Sequence, residues 1–388
     1  MAIVGKDALR FTRVKLKNWR NFTEVDVKLQ QRVFVIGPNA AGKSNFLDVF
    51  RFLRDIASHG GGFHEAVSTK RGGVSKLRCL AARRYPDISI YVSVGSGTNP
   101  TAWEYELQFT QDNRQRPKIK FERVLKNEQE VFRRPDKDDE GDPERLTETY
   151  LEQVSANQGF RELAEFFASV QYLHVVPQLV RDPEGYVGKG RDLFGANFLE
   201  QIARTSERTL TSRLRKIREA LRVAVPQLKE LEFYRDRARG TPHLRGKYEH
   251  WRPQGAWQTE EQFSDGTLRL LGLLWVALDT GGPLLLEEPE LSLHLEVIRF
   301  IAPMFARMQA RTGRQIILST HSAELLSDES IALDEILLIA PSAEGAEIRQ
   351  ANSIQEIRRL LKGGVPLPEV VFPRTKPKDA AQLPLFAD

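Results

Sequence analysis

The chain has 388 residues, 41% hydrophobic and 28% charged, with 57 basic and 52 acidic side chains for a net charge of +5. That length allows two or three lobes, and the apolar fraction is ample for a core. No apolar run approaches the roughly 18 residues of a membrane span, and Met1–Arg10 lacks a secretory hydrophobic region. One cysteine, Cys79, excludes an internal disulfide framework and reads as a buried, inert thiol. A cytoplasmic protein with no membrane partner is expected.

Leu9–Leu29 reads as two antiparallel strands. Val33–Ile36 is a short β-branched run, as a buried strand would be. It leads into Gly37, Pro38, Asn39, Ala40, Ala41, Gly42, Lys43 and Ser44, a complete G-x-x-x-x-G-K-S loop. Asn45 follows, and apolar residues from Phe46 to Ile56 then repeat at helical spacing. Strand, glycine loop and helix are the order a phosphate loop requires. The glycines let backbone N–H groups point at phosphate oxygens, and the helix N-terminus adds partial positive charge. Lys43 would reach the β- and γ-phosphates and Ser44 would hold Mg²⁺, so ATP and Mg²⁺ are the expected ligands.

Ile88–Val94 and Trp103–Phe109 alternate as strands that extend the first sheet, and Lys118–Val131 reads as a further hairpin. Lys137–Glu144 (KDDEGDPE) is acidic and turn-rich, a solvated loop before it is a metal site. Glu144–Val154 and Gly159–Ser169 read as helices, and Leu193–Val225 as a longer helical stretch ended by Pro226. Arg204–Arg222 is a basic helical segment, and Arg235–Arg252 a basic loop carrying Tyr248 and Trp251. Such segments either bind nucleic acid through phosphate pairing and base stacking or are simply solvated; both readings stay open.

Phe263-Ser264-Asp265-Gly266-Thr267 opens an apolar helix, and Leu284–Leu286 is a buried strand ending in Glu287-Glu288. A carboxylate there can hold the water shell of Mg²⁺ while the next polarises an attacking water. Glu287 is assigned with Ser44 to the metal, and Glu288 to general-base catalysis. Gln315–Thr320 reads as another core strand with His321 just past its end, placed to hydrogen-bond a γ-phosphate. Phe300–Ala310 and Ile336–Ile339 continue the same unit.

Val14–Leu53 and Phe263–Ser322 together resemble the ATP-binding-cassette superfamily in its DNA-associated branch. That branch holds the RecF, structural-maintenance-of-chromosomes and overcoming-lysogenization-defect ATPases, and a bacterial "AAA family ATPase" group related to the last. The resemblance implies an α/β fold: a split P-loop ATPase head with an antiparallel β extension and an inserted, mainly helical lobe. Residues 1–149 would form the first part of the head, 150–253 the inserted lobe, 254–365 the second part, and 366–388 a flexible tail. It further implies that Ser264, Asp265 and Gly266 form the signature that caps the γ-phosphate of a second copy, so that two copies close as a homodimer around ATP. Ser292-Leu293-His294 falls at the D-loop, Arg20 at a position near the nucleotide, and Gln178, after the apolar run Val170–Val176, at the Q-loop.

Departures are visible. The signature reads FSDGT rather than LSGGQ, which with the split head argues against a transporter subunit. Glu287 stands where most families have Asp, so turnover is expected to be slow. Fewer than thirty residues follow Leu361, so an effector nuclease is expected to be a separate protein. The tail carries Gln382-Leu383-Pro384-Leu385-Phe386, which resembles the peptide that repair proteins insert into a sliding clamp. A defence ATPase sensing foreign DNA is the leading expectation, and a RecF-like repair ATPase the alternative.

Overall fold

The structure is a computed structural model that describes residues 8–82, 86–181, 198–236, 240–251 and 256–375. The clamp-like segment Gln382–Phe386 lies outside the described residues.

Strands β1 (Arg10–Trp19) and β2 (Phe22–Lys28) form a hairpin whose tight turn sets Arg20 at a φ of 55°. Strand β3 (Arg32–Ile36) is buried along its whole length and leads through the glycine loop into helix α1 (Lys43–Ala57). Strands β4 (Ile88–Gly95), β5 (Trp103–Gln111), β6 (Pro117–Lys126) and β7 (Gln129–Arg134) continue the hairpin into a six-stranded antiparallel sheet, order β2-β1-β4-β5-β6-β7. After helix α2 (Arg161–Ala168) comes the short strand β8 (Gln171–Leu173). Helix α3 (Glu207–Ala224) is followed by β9 (Leu228–Arg235), β10 (Pro242–Tyr248) and β11 (Ala256–Thr259), a small antiparallel sheet. Helix α4 (Asp265–Ala277), β12 (Leu284–Glu287), helix α5 (Ile301–Thr312), β13 (Ile316–Thr320), β14 (Ile336–Ser342) and β15 (Gly345–Gln350) complete the chain's main elements.

The central sheet runs β15-β14-β3-β13-β12-β8. All its neighbours are parallel except the β14–β15 pair. Parallel strands covered on both faces need near-continuous apolar runs, which is what VFVI, LLL and IIL supply. Alternate residues then feed two cores. Val33, Val35, Leu285, Ile317, Leu337 and Ile339 face α1 and the antiparallel sheet. Phe34, Ile36, Leu284, Leu286, Ile316 and Leu318 face α3, α4 and α5. Phe11 fastens the two sheets by packing on Phe50 of α1 and Phe166 of α2, at centroid distances of 4.7 and 5.0 Å.

Several local expectations change. Lys137–Gly141 is a short helix closed by a capping box between Asp136 and Asp139, not an open loop. Asp139 is buried against Arg134 at 2.8 Å. Residues 144–154 do not make an α-helix, only a short 3-10 turn at Pro143–Thr147. The Arg134 guanidinium donates to the carbonyls of Arg145 and Glu148, both at 2.8 Å, and so takes acceptors a helix would need. The basic loop expected over 235–252 contains β10, and β8, inside the expected helical lobe, pairs with β12 in the central sheet. Leu367–Val371 is helical, with Val370 and Val371 buried, where a tail was expected.

Candidate nucleotide site

Parallel strands deliver the ends of β3, β8, β12 and β13 to one sheet edge, where open α/β sheets bind ligands. Register places Ile36 beside Thr320 and Glu287 beside Ser319, so the glycine loop, the paired glutamates and His321 share that edge.

The loop is shaped by close approach. A Cβ on Gly37 would lie 2.7 Å from the carbonyl oxygen of Ile339. Gly42 sits at a φ of 110°, where a Cβ would lie 2.4 Å from Asn21 Nδ2. Asn21 donates from Nδ2 to the carbonyl of Ala41 (2.7 Å) and accepts from Asn45 Nδ2 (2.8 Å), pinning the loop to the β1–β2 turn. Asn39 and Ala40 are exposed at its tip. Lys43 is buried, and its Nζ donates to the carbonyls of Gly37 and Pro38, both at 3.1 Å. Burial pulls its pKa below the usual value, against the charges of Glu288, Glu287 and Glu290. A desolvated ammonium whose hydrogen bonds go to neutral carbonyls is a strong attractor for phosphate.

Ser44 Oγ donates to Glu287 Oε1, and the Tyr172 hydroxyl donates to Oε2 of the same carboxylate at 2.5 Å. A hydroxyl and a carboxylate at the mouth of a phosphate loop are the hard oxygen donors Mg²⁺ takes alongside substrate phosphates. Loop and donor set therefore fit a magnesium nucleotide. Glu288 adopts a φ of 43°, a strained conformation for a non-glycine residue, and its Oε1 lies 3.0 Å from His321 Nε2 and 3.9 Å from Lys43 Nζ. The hydrogen bond to His321 is the main reason its pKa is lowered, with burial opposing and Lys43 assisting.

The other expected residues are distributed as follows. Ser264 caps α4, accepting from the Thr267 N–H at 3.2 Å, and is exposed. Asp265 accepts from Arg181 at 2.6 Å. A Cβ on Gly266 would lie 2.5 Å from the carbonyl of Ser292, itself at a φ of 61°, so the signature and D-loop segments form one surface. Arg20 turns to Asp48 of α1 at 3.1 Å. Gln178 is exposed on the short helix Pro177–Arg181; the residue just past the end of β8 is His174, whose Nδ1 lies 3.4 Å from the Glu287 carbonyl.

Four more residues belong to the site. Besides Asn21 and Tyr172, Glu290 is buried and accepts from Thr320 Oγ1 (2.7 Å) and from the backbone N–H of His321 (2.9 Å). Burial raises its pKa, against those hydrogen bonds. It ties the end of β13, and hence His321, to the glutamate strand. Arg269, one turn into α4, is partly buried beside Glu287 and Glu288, and burial lowers its pKa. Of these, Glu290 had a sequence signal, its place in the run LLLEEPE; the rest emerge only from folding.

Fold and site together define a P-loop ATPase head of the ABC type. The chain belongs to the family described as "AAA domain, putative AbiEii toxin, Type IV TA system", which matches residues 32–327. Among solved structures it is similar to an Smc head bound to the C-terminal winged-helix domain of ScpA, with a TM-score of 0.52 and 12% identity over 87% of this chain and 96% of that one. A similar likeness holds for an Smc head with a coiled coil and joint from Pyrococcus yayanosii, with a TM-score of 0.51 and 10% identity over 92% of this chain and 99% of that one. Endonuclease GajA of Bacillus cereus (strain VD045) is 32% identical over 72 residues, which are 19% of this chain and 12% of that protein. Among the described residues no helix is long and apolar enough to cross a membrane.

Proposed function

We propose that the protein is a slow, ATP-hydrolysing switch that closes as a homodimer and serves defence against foreign DNA by controlling a separate effector. The observation that carries the ATPase reading is the Glu288–His321 pair, set 3.9 Å from Lys43 at the same sheet edge as Ser44 and Glu287. Lys43 and the loop N–H groups bind and orient the triphosphate. Glu287 and Ser44 would hold Mg²⁺, which when bound supplies charge neutralisation at the β- and γ-phosphates. Glu288 accepts a proton from the attacking water, and His321 keeps that carboxylate ionised and aimed. The exposed Ser264 and the N-terminus of α4, backed by Ser292, offer donors to a second copy's phosphate.

The stretch similar to GajA supports the defence reading. Contact with DNA draws on the exposed Arg208, Arg215, Lys216 and Arg222 of α3. The β9–β10 hairpin supports it less, because Arg245 and Lys247 pair with Glu232 and Glu230 at 2.9 and 3.2 Å. A RecF-like repair role is the second reading, favoured by the clamp-like Gln382–Phe386.

Steady-state phosphate release tests the core of this. Wild type should release phosphate slowly, Glu288→Gln should bind ATP without turnover, and Lys43→Ala should lose binding. Unchanged release from Glu288→Gln would refute the assignment. In cells challenged with phage, both substitutions should abolish protection; survival equal to wild type would remove the defence role.

A further inference from the structure

We propose that Tyr172 is a positioning residue for the metal-side carboxylate, holding Glu287 in the one orientation that leaves a single oxygen directed at Ser44. The proposal rests on the magnesium-nucleotide reading of the site.

A glutamate at the end of a strand carries one more rotatable bond than an aspartate, so its carboxylate sweeps a wider arc unless something arrests it. Here both oxygens are engaged, and by different elements. Ser44 of α1 donates to Oε1, while Tyr172 of β8 donates to Oε2. Parallel register puts Tyr172 beside Leu285, two residues before Glu287, so the phenol reaches forward along the sheet to the carboxylate. The ring itself has little freedom. Tyr172 is 3% exposed, and the Arg51 guanidinium of α1 covers its face at 4.1 Å from the centroid. Arg51 in turn stands 3.9 Å from Asp48, which Arg71 grips from the other side at 2.7 Å. The carboxylate is thus referenced to β8, β12 and α1 at once. Groups that orient a metal ligand from behind typically change metal affinity by about 10- to 100-fold when removed. Because the Tyr172 hydroxyl donates to Oε2 of Glu287, its loss should weaken the divalent ion without weakening the nucleotide.

The experiment uses the full chain carrying Glu288→Gln, which holds ATP unhydrolysed. Mn²⁺ binding in the presence of saturating ATP is read by electron paramagnetic resonance, and ATP affinity is read separately in EDTA with a fluorescent ATP analogue. Adding Tyr172→Phe should weaken Mn²⁺ about tenfold or more and leave ATP affinity in EDTA unchanged. In a Glu287→Asp background, which draws the carboxylate back from the phenol by one methylene, Tyr172→Phe should add less than the loss it causes beside Glu287. Mn²⁺ affinity within about twofold of the parent would overturn the proposal, as would ATP affinity falling in parallel, which marks a merely structural tyrosine. If Glu287→Ala itself leaves Mn²⁺ binding intact, the metal reading of the site fails and the proposal falls with it.

Discussion

Glu288 and His321 are already paired at 3.0 Å, with the glutamate backbone held at a positive φ. A conformation of that kind costs about 1–3 kcal/mol and persists only where the surroundings enforce it, here the β12–β13 register and the Glu290 bridge. Because the pKa of Glu288 is lowered, its carboxylate is ionised at neutral pH, and if it is the base proposed above the acid limb of kcat should fall below the ordinary carboxylate value of 4.5. His321→Ala removes the first cause of that shift. The low-pH limb of kcat should move upward and kcat should fall by about 10²-fold, the lower end of a general-base contribution. An unmoved limb in a kcat–pH profile would show that the pair does not act as a unit. At this scale the sequence was most legible where chemistry and spacing coincide, as in Gly37–Ser44 and Glu287-Glu288. Tyr172 and Asn21 were not legible, because their roles depend on which strand lies beside which.

Burial patterns made β3, β12 and β13 readable, since a strand covered on both faces is apolar throughout. What escaped were segments governed by a side chain from elsewhere. Arg134, inaccessible to solvent, collects Asp139, Glu122 and two carbonyls, and so decides the conformation of residues 136–149. Burial pushes the Glu122 carboxyl up to about 7, against the Tyr150 N–H, Arg134 and Tyr105. Since that folded value lies above the unfolded one, the contribution to stability is complete below about pH 4.5 and is lost as pH rises through about 7. The urea midpoint should therefore decline between about pH 4.5 and 7 through this group and level off above, and Glu122→Gln should flatten the decline. An identical slope in the variant would mean that Glu122 does not titrate there. The β10 strand escaped for a similar reason: its Arg and Lys look like a solvated loop until the glutamates of β9 are seen opposite them.

For the whole molecule, the central sheet carries the candidate nucleotide site at its strand ends, and in the proposed dimer the surface built from Ser264, Gly266 and Ser292 would supply donors to a second copy's site. Exposed Leu291, Leu295 and Phe300 extend that surface, as an interface between copies would require. Ser264→Arg should leave ATP affinity unchanged while preventing association; affinity lost in equilibrium titration would place Ser264 in its own subunit's site. The most direct measurement is sedimentation velocity of the Glu288→Gln chain with and without ATP and Mg²⁺. Conversion of monomer to dimer on adding ATP, abolished by Ser264→Arg, is the predicted result. The same mass in both conditions, or a dimer indifferent to Ser264→Arg, would contradict it.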